Sequence, residues 1–373
     1  MKITKIETFF VKPRWMFLKM HTDEGLVGLG EPIVEGRART VAAAVKELES
    51  YLIGQDPRQI ERHWQVMYRG TFYRGGPVLV SAISGIEQAM WDILGKSLGV
   101  PVYHLLGGAC RDRIRIYSQC HGETPELIAA RARELVAEGF TALKAVIDGP
   151  IRHIDNKVYV RSQVAKIQAI REAIPDTVDL AVDFHGRASP PMAIRLAKAF
   201  EEFDLMFIEE PVLPENIDAL VTVARSTTTP IATGERLFTR WGFREVLEKQ
   251  AAAIVQPDIC HAGGISEVRK IAAMAETYYA AVAPHNPLGP ISLAASLQVD
   301  ACTPNFLCQE QITLGEGYLK QPFVHTNGYI DLPTAPGLGI ELDEEALATT
   351  LADDGSWQVP HLFHADDNSF GEW

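Results

Sequence analysis

Cysteine is scarce in this chain and does not pair. The five cysteines among 373 residues, Cys110, Cys120, Cys260, Cys302 and Cys308, are odd in number and form no C-x-x-C. A disulfide framework and a thiolate zinc site are both unexpected. A basic cluster is also missing. The formal charge is −13, whereas a polyphosphate groove needs a basic surface, so no nucleic-acid partner is expected. No run of 18 uncharged apolar residues occurs, and "MKITKIETFF" has neither an apolar h-region nor a small-residue cleavage site. These absences predict a cytoplasmic protein with no membrane partner. The dinucleotide fingerprint is absent too: "GLVGLGEP" reads G-x-x-G-x-G and falls in an expected hairpin, not between a strand and a helix. "HAGGIS" needs its glycines for a turn. No nucleotide is expected.

What is present is the composition of a folded protein, with 47% hydrophobic and 22% charged residues, at a length that suits two domains or one barrel with additions. Residues 1–112 mix strand alternation, as in "ITKIETFF", with helical spacing, as in "TVAAAVKELESYLIG", and read as an α+β domain. From residue 113 to about 320 short apolar strands alternate with amphipathic helices, the pattern of parallel βα units. Eight such strands predict a closed barrel. Residues 321–373 do not continue the pattern and are expected to return to the first domain.

The chemistry lies in a period. Lys144, Asp183, Glu209, Glu235, Asp258, His285 and Glu310 stand at or near successive strand ends, and from Asp183 onward the steps are 26, 26, 23, 27 and 25 residues, the length of one βα unit. Side chains at strand ends converge at the C-terminal mouth of a barrel. A lone strand-end acid usually caps the next helix. Several in register suggest a site instead. Asp183, Glu209 and Glu235 come from neighbouring strands, and three carboxylates at close range repel unless a cation joins them. Oxygen-only ligands at an open site favour Mg²⁺ over zinc. Asp258 can fix the tautomer of His285 and so make it a general base. In "DLAVDFHG" the period-two alternation of a strand would place Asp183 and His185 on one face, with His185 opposite His285 across the ring, so that one can act as base and the other as acid. Glu210 and His261 are read as structural.

This constellation resembles the enolase superfamily in its mandelate racemase subgroup, whose general design pairs a Lys or His base with Mg²⁺. "VDFHGR" and "APHNPLGPI", together with "EGRARTV", "FYRGGP", "GERLF" and "DNSFGEW", are most similar to the acid-sugar dehydratases, the galactonate dehydratases among them. The resemblance implies an α/β fold, a modified TIM barrel (β/α)7β whose mouth is covered by the α+β capping domain. It implies Mg²⁺ on Asp183, Glu209 and Glu235, a hydro-lyase chemistry run by His285, Asp258, His185, Glu310 and Lys144, and substrate contacts from Trp15 and Arg236. Loops near "PRWMF" and "YRGTFYRGG" would set specificity. A small-molecule acid sugar is the implied partner, D-galactonate first, in a homo-oligomer, an octamer by the resemblance. Another hexonate, a pentonate, an aldarate, or a non-catalytic sugar-acid sensor are the alternatives. One departure stands out. The subgroup's racemases carry K-x-K on the second strand, and here the run is Lys144-Ala145-Val146, so two-sided racemisation is not expected and the stretch "AVIDGPIRHIDNKVYV" looks remodelled.

Overall fold

The computed structural model describes residues 1–352 and 355–373. It begins with an antiparallel sheet of β1 (Ile3–Val11), β2 (Trp15–Thr22) and β3 (Val27–Gly30), followed by α1 (Ala38–Leu52), α2 (Ile60–Arg69), α3 (Pro77–Leu98) and the short α4 (Val102–Leu105). The glycines of "GLVGLGEP" belong to the contact between β3 and α3. A Cβ on Gly28 would lie 2.1 Å from the Ala89 carbonyl oxygen, and one on Gly30 would lie 1.9 Å from that of Gly85. Strand and helix thus touch backbone to backbone. Gly30→Ala should cost about 1–3 kcal/mol through overpacking, read as a lowered melting temperature, and an unchanged one would show that this contact is not formed.

The barrel strands are β4 (Arg113–Gln119), β5 (Ala142–Val146), β6 (Asp179–Asp183), β7 (Phe207–Glu209), β8 (Ile231–Thr233), β9 (Ile254–Val255), β10 (Ala281–Val282) and β11 (Gln309–Glu310). Between them run α5 (Pro125–Ala137), α6 (Lys157–Ala173), α7 (Pro190–Phe200), α8 (Ile217–Ala224), α9 (Thr239–Glu248), α10 (Ile265–Thr277) and α11 (Pro290–Ala301). All eight strands lie where the sequence places them. They pair in parallel from β4 to β10 in chain order; β11 pairs with β4, and a Val282–Phe306 bridge closes the ring. No helix follows β11 before the chain turns away, as expected for (β/α)7β.

The C-terminal segment takes a less direct route than expected. After β12 (His325–Thr326), β13 (Tyr329–Asp331) pairs antiparallel with the start of β4 and so extends the barrel sheet. Beyond β13 the segment packs on the first domain, where Leu338 N donates to Asp92 and Leu351 bridges to Val11. It continues through α12 (Glu344–Thr350) to a terminal hairpin of β14 (Leu362–Phe363) and β15 (Phe370–Gly371). Residues 353 and 354 of this segment lie outside the described residues. Among the described residues, no helix is long and apolar enough to cross a membrane.

Two buried acids join the domains. Glu31, at the end of β3, accepts from Gly289 N at 2.7 Å and Ser292 N at 2.9 Å, which caps α11. Glu87 of α3 accepts from Ile265 N and Ser266 N, both at 2.8 Å, which caps α10. Burial pushes the Glu31 carboxyl up to about 8 and that of Glu87 up to about 7, against the pull of these backbone donors. The second cap also explains "HAGGIS": the helix N-terminus that a phosphate would use is filled by Glu87.

Candidate active site

One inward layer fills the barrel below its mouth: Tyr117, Ala142, Ala181, Phe207, Ala232, Ile254, Ala283 and Cys308 form a separate buried cluster. Two residues further along a strand the same face returns. That step leads to Gln119, Lys144, Asp183, Glu209, Gln256, His285 and Glu310, which is most of the site. On β8 the step falls on Gly234, whose φ of 146° suits glycine, and Glu235 follows it.

Asp183, Glu209 and Glu235 each offer an oxygen, and these atoms all lie within 4.8 Å of one another. Burial and the facing charge of Asp183 push the Glu209 carboxyl well above its ordinary range. Oε2 of Glu235 is buried and accepts no hydrogen bond among the described residues, although Nε2 of His285 lies 3.3 Å away. Crowded hard oxygens with one left unpartnered suit a divalent cation.

Lys144 supplies the protein's own cation. Its Nζ is 2.8 Å from Glu209, 2.9 Å from Glu310 and 3.7 Å from Asp183, and its side chain is only 2% exposed. Burial alone would depress this ammonium, but Glu209 and Glu310 outweigh it and hold it well above its usual value. Burial likewise opposes ionisation of Glu310, yet Lys144 and His285 bring that carboxyl down to about 2. Its other oxygen accepts from Asn286 N at 2.9 Å.

Nδ1 of His285 meets Oδ2 of Asp258 at 2.8 Å, while Oδ1 of Asp258 accepts from Cys260 N at 2.7 Å. The carboxylate is held from behind and the imidazole from in front. Burial disfavours protonation of His285, but the charge of Glu235 and the bond to Asp258 raise it well above the ordinary histidine value. A cation held by Glu235 would offset the first of these and free the ring to act as a base.

His185 reaches the site by a different path from the one its spacing suggests. Strand β6 ends at Asp183, Phe184 is buried, and His185 has φ 51°, so a left-handed turn delivers the ring, not strand alternation. Its Nε2 lies 3.1 Å from Asp183 Oδ2, and Arg187 donates to Nδ1 at 3.2 Å. Glu210 is buried as expected of a structural residue. It holds Arg236 at 2.6 Å, and Arg236 lines the cavity above the triad.

That cavity has a volume of 410 Å³ and is walled in part by His185, Glu235, Arg236, His261, His285 and Trp373. Trp15 is not among its lining residues. It lies in the core, 3% exposed, edge-on to Tyr318, because both faces of β2 are covered. The "YRGTFYRGG" loop also stands apart: Phe72 and Tyr73 are 92% and 83% exposed, and only Pro77 beyond it reaches the wall. His261, read from the sequence as structural, faces the cavity and is hydrogen-bonded to Ser81 Oγ at 3.0 Å. Sequence reasoning missed Gln119, which donates to Glu310 at 3.0 Å. The signal for Gln119 was its place two residues beyond the inward Tyr117.

A closed parallel barrel with a carboxylate triad, a lysine and an Asp–His pair at its C-terminal mouth, under an α+β cap, defines an enolase-type architecture. The chain matches the mandelate racemase/muconate lactonizing enzyme N-terminal domain over residues 6–107 and the enolase C-terminal domain-like family over residues 127–346. It belongs to the mandelate racemase subgroup of the enolase superfamily. It is 50% identical over 383 residues to the D-galactonate dehydratase of Ralstonia nicotianae and 48% identical over 384 residues to that of Pectobacterium atrosepticum, in each case across the full length of both chains. Among solved structures, the mandelate racemase/muconate lactonizing enzyme from Jannaschia sp. CCS1 superposes with a TM-score of 0.90 at 35% identity, over 95% of this chain and 98% of that one.

Proposed function

We propose that this protein is a Mg²⁺-dependent acid-sugar dehydratase, a hydro-lyase that removes the C2 proton and eliminates the 3-hydroxyl to give a 2-keto-3-deoxy sugar acid, with D-galactonate as its first substrate. The observation that carries the reading is the Asp258–His285 pair, 2.8 Å apart, set beside a carboxylate triad. Asp183, Glu209 and Glu235 would hold the ion, which supplies positive charge to the substrate carboxylate and so acidifies the neighbouring C–H. Asp258 fixes the tautomer of His285 and leaves Nε2 to take the proton. Lys144 faces the developing negative charge, and Glu310 orients the same end of the substrate. His185, across the mouth, gives a proton to the departing hydroxyl. Arg236 contacts the substrate chain. The second strand carries Val146, not a second lysine, so proton removal is one-sided. A homo-oligomer, an octamer in the family pattern, and a cytoplasmic location complete the reading.

The test is a screen of acid sugars with Mg²⁺ for 2-keto-3-deoxy products. Turnover of D-galactonate supports the reading, another acid moves the substrate, and no turnover of any acid sinks it. His185→Asn should slow dehydration on the order of 10²- to 10⁴-fold, the usual cost of losing a general acid. In D₂O it should still exchange the C2 proton of unreacted substrate. Loss of that exchange would remove His185 from the acid role.

A further inference from the structure

The C-terminal hairpin ends on the site. The indole of Trp373 lies with its centre 5.2 Å from that of the His185 imidazole, at an interplanar angle of 32°, and Trp373 and Val359 form part of the cavity wall. The hairpin is well made: Leu362 pairs with Gly371 and Phe363 with Phe370, and Asp367 accepts from both Ser369 N and Ser369 Oγ across the turn.

What fastens it is the loop between β5 and α6. Arg152 pairs with Asp366 and, at 3.2 Å, with Asp367. A Cβ on Gly371 would lie 2.2 Å from Cβ of Pro150, so β15 lies directly on that loop. Farther up the tail, Trp357 stacks on the guanidinium of Arg14 at 5.0 Å. The tail is therefore tied to both the barrel and the first domain.

We infer that this tail sets substrate specificity, with Trp373 as the contact residue and Arg152 as the positioning residue that holds it there. The inference rests on the dehydratase reading. In that reading the substrate carboxylate and C2 lie on the cavity floor, at the triad and His285, and C4 onward extends toward the wall that Trp373 and Val359 supply. A rigid indole there bounds the sugar chain and accepts one arrangement of its outer hydroxyls. Arg152 does not line the cavity and acts only through the tail.

The test compares D-galactonate with its C4 epimer D-gluconate, using kcat/KM for the full-length wild-type protein and for Trp373→Ala, Trp373→Phe and Arg152→Ala. The ratio between the two acids should collapse about tenfold in Trp373→Ala and in Arg152→Ala, in the range expected for one wall contact. Trp373→Phe should keep it within about twofold. Wild-type turnover with a ratio unmoved in both alanine variants overturns the inference. A ratio moved by Trp373→Ala alone overturns the role of Arg152. A wild-type protein inactive on both acids and on the wider screen overturns the dehydratase reading, and this inference with it.

Discussion

His285→Asn should abolish both C2 exchange and dehydration, a loss of about 10⁴-fold or more, at the upper end for a missing general base. The reason is geometric. His285 is the imidazole oriented by a buried carboxylate, Asp258 at 2.8 Å, and its other nitrogen opens toward Glu235 and Glu310, at 3.3 and 3.9 Å. Asparagine keeps the size and a hydrogen bond to Asp258 but has no basic nitrogen. With no proton removed, nothing later in the reaction can occur. Proton NMR of substrate recovered from D₂O, beside a keto-acid assay, separates this variant from His185→Asn, which should exchange without eliminating. If His285→Asn still exchanges, the base has been misassigned.

Lys144→Met should have the largest effect on stability. The lysine is the one cation within 3.7 Å of Asp183, Glu209 and Glu310 together among the described residues, and methionine fills its space without its charge. Breaking a buried ion pair by removing one partner costs about 3–5 kcal/mol, because the other charge is left uncompensated. The loss should be greatest in chelator. Mg²⁺ at about 100 times its dissociation constant should restore roughly 2.7 kcal/mol, by binding only the folded state. Thermal melts with and without the ion read both effects. A melting temperature unchanged in chelator would mean that Lys144 does not offset these carboxylates.

The barrel and its triad were legible because each strand is short, apolar and ended by an ionisable group, so a period of one βα unit exposes the mouth. Gln119 and Gln256 occupy the same layer but are uncharged, and an amide at a strand end looks like any solvent-facing glutamine. His185 was placed correctly for an incomplete reason, since alternation stops where the strand does. Trp15 was misread because an aromatic in a strand covered on both faces gives no sign of which face meets a ligand. Trp373 contacts a residue in the middle of the chain, and Glu31 and Glu87 reach across domains. Such contacts leave no local spacing to read.

Glu31 and Glu87 carry a consequence for recombination. Each begins in the first domain and completes a helix of the barrel, and Gly289 and Gly264 leave room for them: a Cβ at either would come within 2.6 Å of a carboxylate oxygen. A cap transplanted from a relative would fit this barrel only if it brought acids to the same two places. Otherwise α10 and α11 would each start with bare amides, directly beyond the loops that carry Asp258 and His285. The capping domain and the loops that carry Asp258 and His285 are therefore exchangeable as a matched set and not separately.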